Sequence, residues 1–206
     1  MYLKSIEVQG FKSFANKIKF DFHNGITGIV GPNGSGKSNV ADAVRWVLGE
    51  QRVKQLRGGT MQDVIFSGTE NRRPLSYASV AITLDNSDHK LPVEFEEVTV
   101  TRKLYRSGES EYLINGAACR LKDINEMFYD TGIGKEGYSI IGQGQIDKIL
   151  SGKPEERREL FDEAAGIVKF KRRKTLSLKK LEEERMNLTR VNDILSELEK
   201  QLGPLE

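Results

Sequence analysis

Eight consecutive residues, Gly31-Pro32-Asn33-Gly34-Ser35-Gly36-Lys37-Ser38, restrict the possible folds of this chain more than any other segment. They fit the pattern G-x-x-x-x-G-K-[ST]. A short apolar run, Gly25-Ile26-Thr27-Gly28-Ile29-Val30, stands before them in the form of a buried strand. After them Val40, Ala43, Val44, Val47 and Leu48 recur at helical spacing. A strand that turns through glycines into a helix is the context in which this pattern makes a phosphate cradle. The glycines permit left-handed dihedrals and bring backbone N–H groups close to phosphate oxygens. The helix N-terminus adds partial positive charge. Lys37 is long enough to reach β- and γ-phosphates, and the Ser38 hydroxyl is suited to ligate Mg²⁺. The segment predicts an α/β chain that binds ATP with Mg²⁺.

A length of 206 residues suits one domain with an extension, or two small domains. Charged residues make up 30%, which points to a long solvated element, while the net charge of +2 gives no bulk argument for nucleic acid. Cys119 has no second cysteine to pair with, and His23 and His89 are too few and too far apart to suggest a zinc site. The N-terminus lacks an apolar signal region, and no stretch approaches a membrane span. A reducing, cytoplasmic compartment is expected.

Two regimes follow one another along the chain. Residues 1 to about 150 are mixed. Tyr2 to Val8 and Lys17 to Phe22 alternate like strands, and Val80 to Leu84 and Val98 to Arg102 are rich in β-formers. Tyr105 to Tyr112 reads as a hairpin with a turn at Gly108, and Asn115-Gly116 as a second turn. From Pro154 the pattern is helical, interrupted at Gly166. Leu181, Leu188, Leu195 and Leu202 then recur every seven residues, with Val191, Leu198 and Leu205 between them. That is a coiled-coil seam. Ser177 and Glu184 spoil it upstream, and a lone amphipathic helix remains the alternative.

A phosphate cradle does not cleave ATP by itself. Hydrolysis also needs a metal-binding Asp at the end of a strand and a group that orients water. Val80 to Asp85 has the right shape for the first, but Asn86 follows where a Glu is needed. Leu150-Ser151-Gly152-Lys153 begins like the LSGG signature of ABC-type ATPases and lacks its second glycine. It reads better as a loop leading into the helix at Pro154.

Six blocks in order now carry a resemblance. They are Gly10-Phe11-Lys12-Ser13-Phe14; the P-loop extended to Asn39; Ala43 to Glu50 with Leu56-Arg57-Gly58-Gly59; Tyr105 to Ser110; Ile140 to Gly144; and Phe161 to Gly166. Together they closely resemble the N-terminal part of a bacterial member of the SMC (structural maintenance of chromosomes) family, over essentially the whole chain. The resemblance implies an α/β fold: an ABC-type P-loop ATPase half-head with a mixed β-sheet, followed by a long coiled-coil helix. Residues 1–165 would be the N-terminal lobe with Walker A and Q-loop, and residues 166–206 the start of the coiled-coil neck. It also implies that Walker B, the signature motif and the catalytic Glu lie in a C-terminal half, so that no catalytic residue is expected in this chain.

Carried over position by position, Gly31 to Asn39 and Arg57 would contact the nucleotide. Gln143 would be the Q-loop glutamine and, with Ser38, a ligand of Mg²⁺. Lys12 and Ser13 would lie near the nucleotide and Asp63 near its adenine side. Arg120 and Lys122 would lie where DNA crosses engaged heads. A run of basic residues from Lys169 to Lys180 is either a further phosphate-binding patch or a solvated helix face. Nothing resembles a recognition helix, so DNA binding is expected to ignore base sequence. The partners implied are the C-terminal half of the same head, a second head in a homodimer, and a kleisin subunit at the neck. The implied location is the nucleoid within the cytoplasm, with no membrane contact. Two other readings stand beside this one: a self-contained P-loop kinase or small NTPase using Asp85, and a DNA-repair ATPase with the same split-head plan.

Overall fold

A computed structural model describes residues 1–128, the positions 131, 140, 141, 154, 158, 161, 162, 165 and 167, and residues 168–202. Its centre is a six-stranded sheet in the order β2-β1-β3-β4-β5-β6. The strands are β1 (Tyr2–Gln9), β2 (Ile18–Asp21), β3 (Tyr77–Asp85), β4 (Glu97–Tyr105), β5 (Ser110–Ile114) and β6 (Ala117–Cys119). Every pairing is antiparallel. The expected hairpins form: β4 turns into β5 through Gly108, and β5 into β6 through Asn115 and Gly116, both with positive φ.

Alternation decides which face is buried. In β3 the inward residues are Ala78, Val80, Ile82 and Leu84, and in β4 they are Val98, Val100, Arg102 and Leu104. The register aligns them into rows, one of which runs Phe20, Ile6, Ile82, Val100, Ile114 across five strands. Helix α1 (Lys37–Val47) lies against β3 and β4, burying Val40, Ala43, Trp46 and Val47. Helix α2 (Leu121–Phe128) adds Ile124, Met127 and Phe128 to the same core.

The segment Gly25–Val30 forms no strand. Its apolar side chains stand in solvent, with Ile26 and Val30 at 105% and 91% relative exposure. An apolar strand of this kind is stable only between neighbours that pair with its N–H and C=O groups. None of the six strands described pairs with it. Among the described residues the sheet is antiparallel throughout.

The C-terminal regime is a helix, α3 (Val168–Leu202), 35 residues long. Leu181, Leu188, Val191, Leu195, Leu198 and Leu202 all stay exposed, at 50–66%. They lie on one helix at a/d spacing, as the heptad reading expects. Leu205 and Gly166 lie outside the described residues. No helix among the described residues is long and apolar enough to cross a membrane.

One core position breaks the apolar pattern. Arg102 is 1% exposed and occupies an inward site of β4, opposite Val80 and Tyr112. Its Nη1 donates to the carbonyls of Trp46 and Glu50, at 2.8 and 2.9 Å, where α1 ends. The guanidinium lies 4.6 Å from the Trp46 ring centroid and 5.2 Å from that of Tyr112. A cation at a helix C-terminus, between two aromatic faces, is well placed. Burial nevertheless pushes its pKa down from the ordinary arginine value. Arg102→Ala would orphan two carbonyls and leave a void beside Trp46. At ~1–3 kcal/mol per orphaned group plus a cavity cost, the expected loss is about 3–5 kcal/mol. A urea melt measures it, and an unchanged midpoint would show that the sheet-to-helix link contributes nothing.

Candidate functional site

Gly36 caps α1 from a left-handed conformation, φ 93° and ψ 7°, without a side-chain hydrogen bond to the first turn. No acidic residue stands in that turn. The Asn39 N–H donates to the Gly36 carbonyl at 2.9 Å, so the N–H groups of Lys37 and Ser38 are the ones left for an outside acceptor, and the electrostatics favour an anion. Gly36 also admits a close neighbour: a Cβ there would stand 2.9 Å from Ser13 Oγ. Lys37 folds back into the loop, its Nζ donating to the carbonyls of Gly31 and Pro32 at 2.6 and 2.7 Å. Ser35 N–H donates to the Pro32 carbonyl at 3.3 Å. Gly31 to Ser35 and Ser38 are exposed. An ammonium held at the mouth of a glycine loop, with no competing acid, suits a polyphosphate.

Beside the loop lies an open pocket of about 350 Å³ lined by Lys12, Asn39, Arg57, Asp63, Ile65 and Ser67. That size falls in the usual range of small-ligand sites. Four residues expected at the nucleotide, drawn from three separate stretches of chain, therefore meet at one cavity. Ser13 joins them indirectly, accepting from Asn39 Nδ2 at 2.8 Å.

Local structure explains how each arrives. Gly10 leaves β1 with φ +64°, and a Cβ there would stand 2.3 Å from the Tyr77 carbonyl oxygen. The chain then turns through Lys12, at φ 49°, whose N–H donates to the Val64 carbonyl at 2.7 Å. Arg57, at φ 57°, ends the short 3₁₀ turn Val53–Leu56. Asp63 closes a capping box on the turn Met61–Val64. Its carboxylate accepts from the N–H groups of Gly59 and Thr60, both at 2.8 Å, and from the Thr60 hydroxyl at 2.9 Å. Those bonds hold its pKa below the ordinary carboxylate value. Asp63 thus shapes the loop that carries Arg57 as well as lining the pocket.

One residue of the site went unread in the sequence. Asp42 is 3% exposed on α1 and accepts from both Lys12 Nζ and the Arg57 guanidinium. An acid within the apolar stripe between Val40 and Ala43 was the available signal.

Other expected positions lie apart. Arg120 and Lys122 are exposed at the β6–α2 junction and do not line the pocket. The Arg120 N–H donates to Asp123 Oδ2 at 2.8 Å, which caps α2, and Lys122 Nζ lies 3.6 Å from Glu126. Gln143 and the stretch Leu150 to Lys153 fall outside the described residues. Asp85 pairs with Tyr2 at the start of β1, whereas Lys12 and Ser13 follow its far end at Gln9. Seven residue steps separate the two ends, about 23 Å at the rise of a β-strand. The Asp85 carboxylate instead accepts from the N–H and hydroxyl of Ser87. It closes a turn, and the reading of Asp85 as a Walker B carboxylate is not supported.

Comparison with known proteins identifies the family of the fold that carries this site. The family model described as RecF/RecN/SMC N terminal domain matches residues 2–203. The chromosome partition protein Smc of Clostridium kluyveri is 64% identical over the whole chain, and the chain spans 17% of that protein's length. An SMC ATPase solved in work on ATP-driven dimerization and DNA-stimulated activation shares 38% identity at TM-score 0.72, covering 79% of this chain and 99% of that one. An Smc head bound to the C-winged helix domain of ScpA shares 40% identity at TM-score 0.78, covering 84% of this chain and 53% of that one. With a family model over nearly its full length, and a head fold in the solved relatives, the chain belongs to the SMC family, where it forms the N-terminal head region.

Proposed function

We propose that this chain is the ATP-binding half of a composite SMC ATPase head, with residues 1–165 as its lobe and residues 166–206 as the start of a coiled-coil neck. The observation that carries the reading is the meeting of Lys12, Asn39, Arg57 and Asp63 at one pocket beside the P-loop and the N-terminus of α1. Gly31 to Ser38 supply backbone donors, and Lys37 supplies a charge already aimed into the loop. Ser38, with Gln143 from the Q-loop, would hold Mg²⁺, whose chemistry is to neutralise phosphate charge. Arg57 and Lys12 add cations at the pocket wall, and Ser13 orients Asn39.

Cleavage on this reading requires residues from the C-terminal half and the signature motif of a second head. The missing strand neighbours of Gly25–Val30 and the exposed seam of α3 agree with a fold completed by another segment. ATP bound between two heads favours their engagement through its higher affinity for that state. A kleisin would dock at the neck, and DNA would be held without base readout at Arg120 and Lys122, all within the nucleoid. The role served is chromosome condensation and segregation.

The test pairs this chain with its complementary C-terminal segment. The pair is expected to hydrolyse ATP, the chain alone to be silent, and Lys37→Ala to lose nucleotide binding; full turnover by the chain alone would sink the split-site reading. For DNA, Arg120→Glu with Lys122→Glu should weaken binding and flatten the slope of log K against log salt by about 1.8, from ~0.9 per phosphate contact. An unchanged slope removes both residues from the interface.

A further inference from the structure

We propose that Asp42 is a positioning residue of the nucleotide site, a buried carboxylate that holds Lys12 and Arg57 at the pocket wall without itself meeting the ligand. The proposal rests on the nucleotide-binding reading above. Lys12, Asn39 and Arg57 line the pocket, and Asp42 does not. Its side chain is 4% exposed, behind them on α1. A single oxygen, Oδ2, accepts from Lys12 Nζ, from Arg57 Nε at 3.1 Å and from Arg57 Nη2. Arg45 Nη1 stands 3.9 Å from the other oxygen, beyond hydrogen-bond reach. Lys12 also donates to the Leu56 carbonyl, and Arg57 Nη2 to Asn39 Oδ1 at 3.0 Å.

The backbone points the same way. Lys12 and Arg57 are two of the four non-glycine residues with positive φ among the described residues. Side chains rarely adopt that conformation, and it persists where surrounding contacts enforce it. Both left-handed residues send their cations to the same carboxylate. The Arg57 side chain is 54% exposed, so without that anchor its guanidinium would sample many rotamers. A planar fork fixed at two nitrogens presents its remaining donors in one direction.

Charge alone and positioning predict opposite signs. Asp42 lies behind two cations at a site for a polyanion. If it acted only through its charge, neutralising it would strengthen attraction for phosphate. If it acts by holding the cations, neutralising it weakens binding. The isosteric Asp42→Asn separates the two: its one amide oxygen can still take the place of Oδ2, but without the negative charge its bonds to both cations weaken and their hold loosens.

The experiment measures equilibrium binding of ATP with Mg²⁺ to the complete head, this chain together with its C-terminal segment. Asp42→Asn is expected to weaken binding at least about tenfold. Added to Lys12→Ala with Arg57→Ala it should cost no more than about twofold further, because it acts through those two cations. Tighter binding, unchanged binding, or losses that multiply fully would each overturn the proposal. Lys37→Ala separates the two levels: wild-type binding in that variant refutes the nucleotide reading itself, whereas its loss beside an unaffected Asp42→Asn refutes only the role of Asp42. Should Asp42→Asn not fold, nitrogen NMR of the unmutated head without nucleotide decides. An Arg57 Nε–H protected from solvent exchange supports the anchor, and exchange as fast as in a free arginine overturns it.

Discussion

Everything near the pocket depends on where α1 sits, and α1 is held at its C-terminal end by one buried cation. Arg102 reaches from β4 to the carbonyls of Trp46 and Glu50, so the helix end is bonded to the sheet as well as packed on it. Apolar contact alone tolerates sliding, since it has no preferred direction. Hydrogen bonds to two carbonyls have a direction, and the flanking rings of Trp46 and Tyr112 narrow it further. Gln51 extends the link, its Nε2 donating to the Tyr112 hydroxyl at 2.9 Å. The loop at the other end of α1 thereby inherits its place from the sheet.

Much of this arrangement is legible in the sequence because it is periodic or locally coded. Alternation marks β3 and β4, the Asn115-Gly116 pair marks a hairpin, and glycine spacing marks the loop before Lys37. Those signals depend on neighbours a few residues away. Asp42 and Arg102 depend on partners far along the chain, at Lys12 and Arg57 for one and at Trp46 and Glu50 for the other. A charge inside an apolar stripe hints locally at burial, but nothing local shows which groups it pairs with. Resemblance to a family assigned Arg57 and Lys12 to the site, and the structure brings them to one cavity. What joins them there was visible only after folding.

Gly25–Val30 shows the opposite failure. Its composition is that of an interior strand, yet composition states only what surroundings a segment suits. In the described residues those surroundings are lacking, and Ile26 and Val30 face water. The same holds for the leucines of α3, whose spacing asks for another helix. Two apolar surfaces, one beside the P-loop and one on the C-terminal helix, are thus uncovered among the described residues.

A 35-residue helix rises about 52 Å along its axis at 1.5 Å per residue. A rotation of one degree about its base carries its far end through about 0.9 Å at that length. A tilt of α3 too small to disturb its own hydrogen bonds would thus move its far end by a distance comparable to a bond length. In this geometry α3 is a lever, and its rigidity sets how much of a small movement survives the distance.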